Sequence, residues 1–103
     1  MKIIEARDFE GTRAWQALPI AAIDGVTVRL HWTDEPYIWH VNDGTEVFVV
    51  LDGRVDMHIR DKTGEHIHRM KAGSIFQANA GEAHRAVPLG VARILVVERA
   101  GSL

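Results

Sequence analysis

The chain has no cysteine. That removes disulfide staples and thiolate metal ligands together, so any metal here must be held by nitrogen and oxygen. No apolar run approaches the ~20 residues of a membrane span. There is no basic block either: 12 Lys and Arg stand interspersed with 14 Asp and Glu, and the three tryptophans are scattered. A nucleic-acid partner is therefore not expected. Glu5, Asp8 and Glu10 occupy the stretch where a signal peptide would be positively charged, and "LPIAAI" is too short for its apolar region, so the expected location is cytoplasmic. Linkers, low-complexity segments and long helical periodicity are all missing. The only serines, Ser74 and Ser102, have no triad arrangement around them, and the scattered glycines are turn formers, not a phosphate loop.

What is present is a strand pattern. At 103 residues the chain has the size of one domain with a modest core. The first 20 residues predict a short edge strand at Lys2–Ala6 and a helical turn around Thr12–Ala17. In "GVTVRLHW", Val26, Val28, Leu30 and Trp32 share one face and Thr27, Arg29 and His31 the other. His31 is expected in solvent or hydrogen-bonded, with the mouth of a pocket as the lesser alternative. "YIWHV", "EVFVVL", "RVDMHIR", "EHIHRM", "SIFQA", "HRAV" and "GVARILVVE" follow, separated by Gly-containing turns. Roughly eight to ten short strands at this spacing predict an all-β sandwich or barrel, with a compact jelly roll fitting best.

Both faces of "EVFVVL" are apolar apart from Glu46, and "ILVV" near the C-terminus is similar. A strand of that kind is covered on both sides. The second cover is either the N-terminal 20 residues folding back or another subunit; a homodimer is the expectation, closed homo-oligomers being common.

Chemistry concentrates at residues 40–46. His40 and Asn42 are two apart on a strand and share a face. Glu46 lies in line with Phe48 and Val50, so a core-facing strand carries a carboxylate inside, where it needs a cation or a proton.

Here the sequence resembles the cupins. "HVNDGTEVFVVLDG" reads His-x-Asn-x3-Glu-x6-Gly beside the family's first motif, His-x-His-x3,4-Glu-x6-Gly. "GSIFQANAGEAHRAVP" follows the second motif, Gly-x5-Pro-x-Gly-x2-His-x3-Asn, at Gly73, Gly81 and His84, with Asn79 and Pro88 departing from it. The motifs stand in order, 19 residues apart, and the first motif's leading glycine is replaced by Asp34. The resemblance implies a jelly-roll (double-stranded β-helix) barrel over about residues 24–98 of a single domain spanning 1–103, with residues 1–23 as a covering segment.

It also implies one divalent metal ion (Fe, Mn, Ni or Zn) held by His40, Glu46 and His84. That set has the composition of the two-histidine, one-carboxylate triad of non-haem iron enzymes. Asn42 stands where the family usually has a second histidine, as a fourth ligand or a hydrogen-bonding neighbour. The alternative is a barrel without metal, in which the same residues form a polar cluster in a ligand pocket. If "RVDMHIR" pairs with "EHIHRM" around "DKTG", His66 and His68 share the Val55/Met57/Ile59 face and become further candidate ligands, unless a bulge shifts the register and leaves both in water. Ile38, Phe48, Met57 and Phe76 are expected to line a pocket for a small organic ligand or substrate. Arg85 is a candidate anion holder, though its parity favours the surface. Oxygenase, isomerase and lyase chemistry all occur on such a scaffold, and so does non-enzymatic sensing. Titratable residues beside the ligands would favour an enzyme, and an apolar lining a binder.

Overall fold

The computed structural model describes residues 1–102. Two antiparallel sheets face each other across one core, and the fold is the jelly-roll barrel. The strands are β1 (Gln16–Ile23), β2 (Val26–Thr33), β3 (His40–Val41), β4 (Glu46–Asp52), β5 (Arg54–Asp61), β6 (Gly64–Lys71), β7 (Ile75–Ala78), β8 (Ala83–Pro88) and β9 (Ala92–Arg99). The larger sheet runs β1-β2-β9-β4-β7 and the smaller β3-β8-β5-β6. Among the described residues no helix is long and apolar enough to cross a membrane.

Period-two alternation builds the core. Phe48 and Val50 of β4 and Ile94 and Val96 of β9 meet Val55 and Met57 of β5, Met70 of β6 and Ala86 of β8, all buried. At the β4–β5 turn, Gly53 takes a positive φ of 84°. A Cβ there would fall 2.3 Å from the Val91 carbonyl oxygen, so the turn requires glycine on both counts.

The N-terminal expectations need correction. Lys2–Ala6 is not a strand, because no neighbouring strand offers it a ladder; a single 3-10 turn forms at Ala6–Asp8 instead. The expected helical turn at Thr12–Ala17 gives way to β1, which gains pairing with β2 from Gln16↔Trp32 onwards. "YIWHV" contributes only His40 and Val41 as strand.

The faces of β2 are the consequential finding. Arg29 pairs with Val96 and His31 with Ile94, so this polar face looks into the barrel. The apolar face looks out, yet Leu30 is 1% and Trp32 8% exposed. The N-terminal segment covers it. Ile4 and Ala6 share a crevice with Leu30, Leu51 and Leu95, and Gly11 sits so close to Trp32 that a Cβ would lie 2.6 Å from the ring. Arg93, 7% exposed, fastens this cover by donating to the Phe9 carbonyl (2.8 Å), to Asp52 (2.7 Å) and to Glu10. Part of the second cover expected for β4 and β9 thus comes from the chain's own N-terminus. Val47, Val49 and Val97 remain half-buried on that face.

Candidate metal centre

Two sheets bring the candidate ligands together. His40 on β3 pairs directly with His84 on β8, both in the smaller sheet, and their ring centroids are 4.4 Å apart. Glu46 enters from β4 in the larger sheet. Donor atoms of His40, Glu46 and His84 lie within 4.8 Å of one another.

Both imidazoles are set in the same tautomer by the backbone. His40 Nδ1–H donates to the Ile38 carbonyl at 3.0 Å, and His84 Nδ1–H to the Glu82 carbonyl at 3.0 Å. Such outer hydrogen bonds leave Nε2 as the inward atom, as in metal-ligating histidines. His84 Nε2 stands 3.0 Å from Glu46 Oε1. His40 Nε2 is buried with no hydrogen-bond partner among the described residues, and so are both amide atoms of Asn42. Buried polar atoms are nearly always partnered, so an unpartnered imidazole nitrogen beside a carboxylate fits a cation site. The residues present therefore fit a divalent ion bound by nitrogen and oxygen.

Charge supports the same arrangement. Burial alone would raise the Glu46 carboxyl, but the hydrogen bond from His84, the neighbouring Glu98, the charge on His84 and nearby Asn42 hold it below its usual 4.5. Burial alone would lower His84, and the hydrogen bonds to Glu46 and the Glu82 carbonyl outweigh it and raise the ring above 6.5. When the His84 ring is protonated, the pair is an imidazolium–carboxylate, and it must give up that proton to admit a metal.

Glu98 is the residue that sequence reading missed. It pairs across from Glu46 on β9, is 6% exposed, and lies 3.8 Å from Arg29. Burial, then the neighbouring Glu46, push its carboxyl up to about 8. The signal was available, because Glu98 lies in line with Ile94 and Val96, just as Glu46 lies in line with Phe48 and Val50.

A cavity of about 310 Å³ opens over these groups, at the small end of ligand pockets, which span roughly 300–1,000 Å³. Phe48 and Met57 line it as expected, and His31 takes the pocket-mouth alternative; Arg29, Tyr37 and Glu98 line it unexpectedly. His31 Nδ1–H donates to the Trp15 carbonyl at 3.2 Å, and burial lowers the pKa of the ring. Ile38 does not line the cavity: its side chain is 60% exposed, and only its carbonyl serves the site. Phe76 packs behind His84, ring centroids 5.3 Å apart, and does not line the cavity. Arg85 lies on the outer face, its guanidinium 5.8 Å from the Trp39 ring centroid.

His66 and His68 do not reach the site. The register is Met57↔His68 and Ile59↔His66, without a bulge, yet both histidines are exposed. The reason is that β6 is an edge strand with only Met70 buried. His66 bonds Thr63 (2.8 Å) and Asp61 (3.2 Å) instead.

The sequence profile of the cupin domain matches residues 23–98. The chain belongs to the cupin family. No curated protein sequence matches this cupin significantly. Among solved structures it is similar to a cupin-2 domain protein from Shewanella frigidimarina, with 22% identity and a TM-score of 0.76, covering 86% of this chain and 84% of that one. The protein TT1209 from Thermus thermophilus is 19% identical, with a TM-score of 0.77, covering 96% and 97%. Oxalate decarboxylase of Bacillus subtilis, a protein with Mn(II) centres, is 20% identical with a TM-score of 0.66, covering 77% of this cupin and 22% of the decarboxylase. Identities this low establish a shared fold.

The titrating groups make stability pH-dependent in metal-free protein. His84 is raised above 6.5, so its contribution is full below that value and fades as pH climbs through the elevated pKa. Glu46 is lowered, so its contribution is present above 4.5 and lost as pH falls through the depressed pKa. Glu98, raised to about 8, contributes fully below 4.5 and loses that contribution as pH rises toward 8. Metal-free protein is therefore expected to be most stable near about pH 5 and weaker by about pH 8. Urea midpoints in the presence of a chelator measure this; a midpoint that rises across the same interval contradicts it.

Proposed function

We propose that this cupin is a metal-dependent enzyme acting on a small organic substrate, with one divalent ion held by His40, Glu46 and His84. The observation that carries the reading is the pair of histidines whose Nδ1 atoms are fixed by carbonyls while Nε2 of both turns toward Glu46, His40 Nε2 being buried without a partner. The metal is one of Fe, Mn, Ni or Zn, and when bound it would polarise a substrate oxygen or activate water or dioxygen. Asn42 sits beside the ion as a neutral oxygen ligand or a hydrogen-bonding neighbour.

Titratable groups around the ligands favour catalysis over mere binding. Glu98, His31 and Tyr37 all face the cavity. Glu98, whose carboxyl is pushed up by burial, can give a proton to a group in the cavity. Phe48, Met57 and Val96 supply an apolar wall that excludes water from one side.

The domain is proposed as one cupin unit with residues 1–23 as its cover. It is placed in the cytoplasm and as a homodimer that buries the half-exposed valines of the larger sheet. Light scattering on a sizing column should give twice the chain mass, and a monomer at micromolar concentration overturns the dimer.

Pulsed EPR on Mn(II)-loaded protein tests the site. Coupling to imidazole nitrogens is expected in the wild type, and the bound Mn(II) signal itself should be almost lost in His84→Ala. Manganese that binds with no nitrogen coupling overturns the ligand assignment. Oxygen uptake and product analysis on loaded protein with a panel of organic acids test the enzyme reading, and no metal-dependent turnover on any of them favours a sensor.

A further inference from the structure

The larger sheet, which carries Glu46, also turns into the cavity an arginine that is not among the metal ligands. Arg29 points into the barrel from β2 with its side chain 32% exposed. Among the described residues its one hydrogen bond runs from Nη2 to Thr27 Oγ1 at 3.3 Å. Glu98 lies 3.8 Å away, beyond hydrogen-bond reach. A guanidinium has five N–H donors in a planar fork suited to a carboxylate, so most of this one is unspent.

The mouth of the cavity is built around it. Trp15 lies in the left-handed region at φ 59°, an outlier for so bulky a residue and the kind of strain that accompanies binding sites. Its position is fixed: Trp15 Nε1–H donates to the Glu35 carbonyl at 2.9 Å, and the Thr12 N–H is tied to Gln16 Oε1 at 2.7 Å. The Trp15 and Tyr37 rings meet edge to face, centroids 5.1 Å apart. Arg13, from the same turn as Trp15, adds a second, exposed cation to the lining.

We propose that the cavity takes a small organic acid, its carboxylate held by Arg29 with Arg13 drawing the anion in, and its apolar body against Trp15 and Tyr37. This deepens the metal-dependent reading, and rests on it only for the substrate's role in a reaction. Arg29 is a binding residue for the carboxylate, and Arg13 acts through the field it places at the mouth.

Benzoate, acetate and benzamide serve as probes, titrated by tryptophan fluorescence and calorimetry into chelator-stripped and metal-loaded protein. Benzoate is expected to bind both forms, acetate at least tenfold more weakly, and the neutral benzamide at least tenfold more weakly. Arg29→Gln should weaken benzoate at least tenfold while metal content stays at the wild-type value. Arg13→Gln, on an exposed side chain that folding does not need, should weaken it a few-fold, with an effect that shrinks in high salt. Equal binding of benzoate and benzamide, unchanged benzoate binding in folded Arg29→Gln, or no benzoate binding at all overturns the proposal. Arg29-dependent binding in protein that never takes up metal upholds it while sinking the metal centre, so the two readings fail separately.

Discussion

Glu46→Gln is expected to weaken divalent-metal binding by at least 100-fold while leaving the protein folded. Losing an outer-shell partner of a metal ligand costs roughly 10–100-fold, and this change removes a ligand's charge outright. The amide keeps the volume of the carboxylate and can still hydrogen-bond His84 Nε2, which stands 3.0 Å away, so the barrel loses no packing. The change removes the charge partner hydrogen-bonded to His84, so the ring should titrate closer to its ordinary value. Its neighbour Glu98, raised partly by Glu46, should ionise at lower pH. Competition titrations with a chromophoric chelator measure the affinity. An affinity within about threefold of wild type, well short of the 10–100-fold that even an outer-shell change costs, contradicts the assignment of Glu46 as a ligand.

Trp32→Ala is expected to cost about 3–5 kcal/mol, the range for truncating a buried aromatic side chain. Domains of this size are stable by only about 5–15 kcal/mol, so urea unfolding should show a large shift. The ring is 8% exposed beneath the N-terminal segment, against Gly11. Its Nε1–H is buried without a partner among the described residues. Trp32→Phe therefore deletes a donor whose burial costs about 1–3 kcal/mol along with some apolar area, and should be nearly neutral. The alanine variant should also free residues 1–11 for proteolysis before global unfolding. A loss below about 1 kcal/mol, far under the range for such truncations, contradicts the N-terminal segment as a structural cover.

Most strands after residue 25 and the register of β5 with β6 were legible because alternation and the turn at Lys62–Thr63 specify them locally. The inward turn of Glu46 was legible for the same reason: parity with Phe48 and Val50 leaves it one direction. Parity alone could not say which face of β2 looks inward. An apolar face ordinarily meets the core, but in this barrel one end of the interior is a cavity, which accepts Arg29 and His31. Leu30 and Trp32 meet a second apolar layer made by residues far from any strand pattern. His66 and His68 were assigned to the right face, yet exposure depends on whether a strand lies at the edge of its sheet, and the edge position of β6 is a tertiary fact. Glu98 was overlooked although its parity was as clear as that of Glu46, because no motif drew attention to the strand's end.

Elemental analysis of untagged protein, reconstituted in turn with iron, manganese, nickel and zinc and then desalted, tests the central claim most directly. Close to one ion per chain is expected for at least one of these metals, as a preformed nitrogen–oxygen site requires, and His84→Ala should hold almost none. Wild-type protein that remains far below one ion per chain with all four metals would contradict the metal centre.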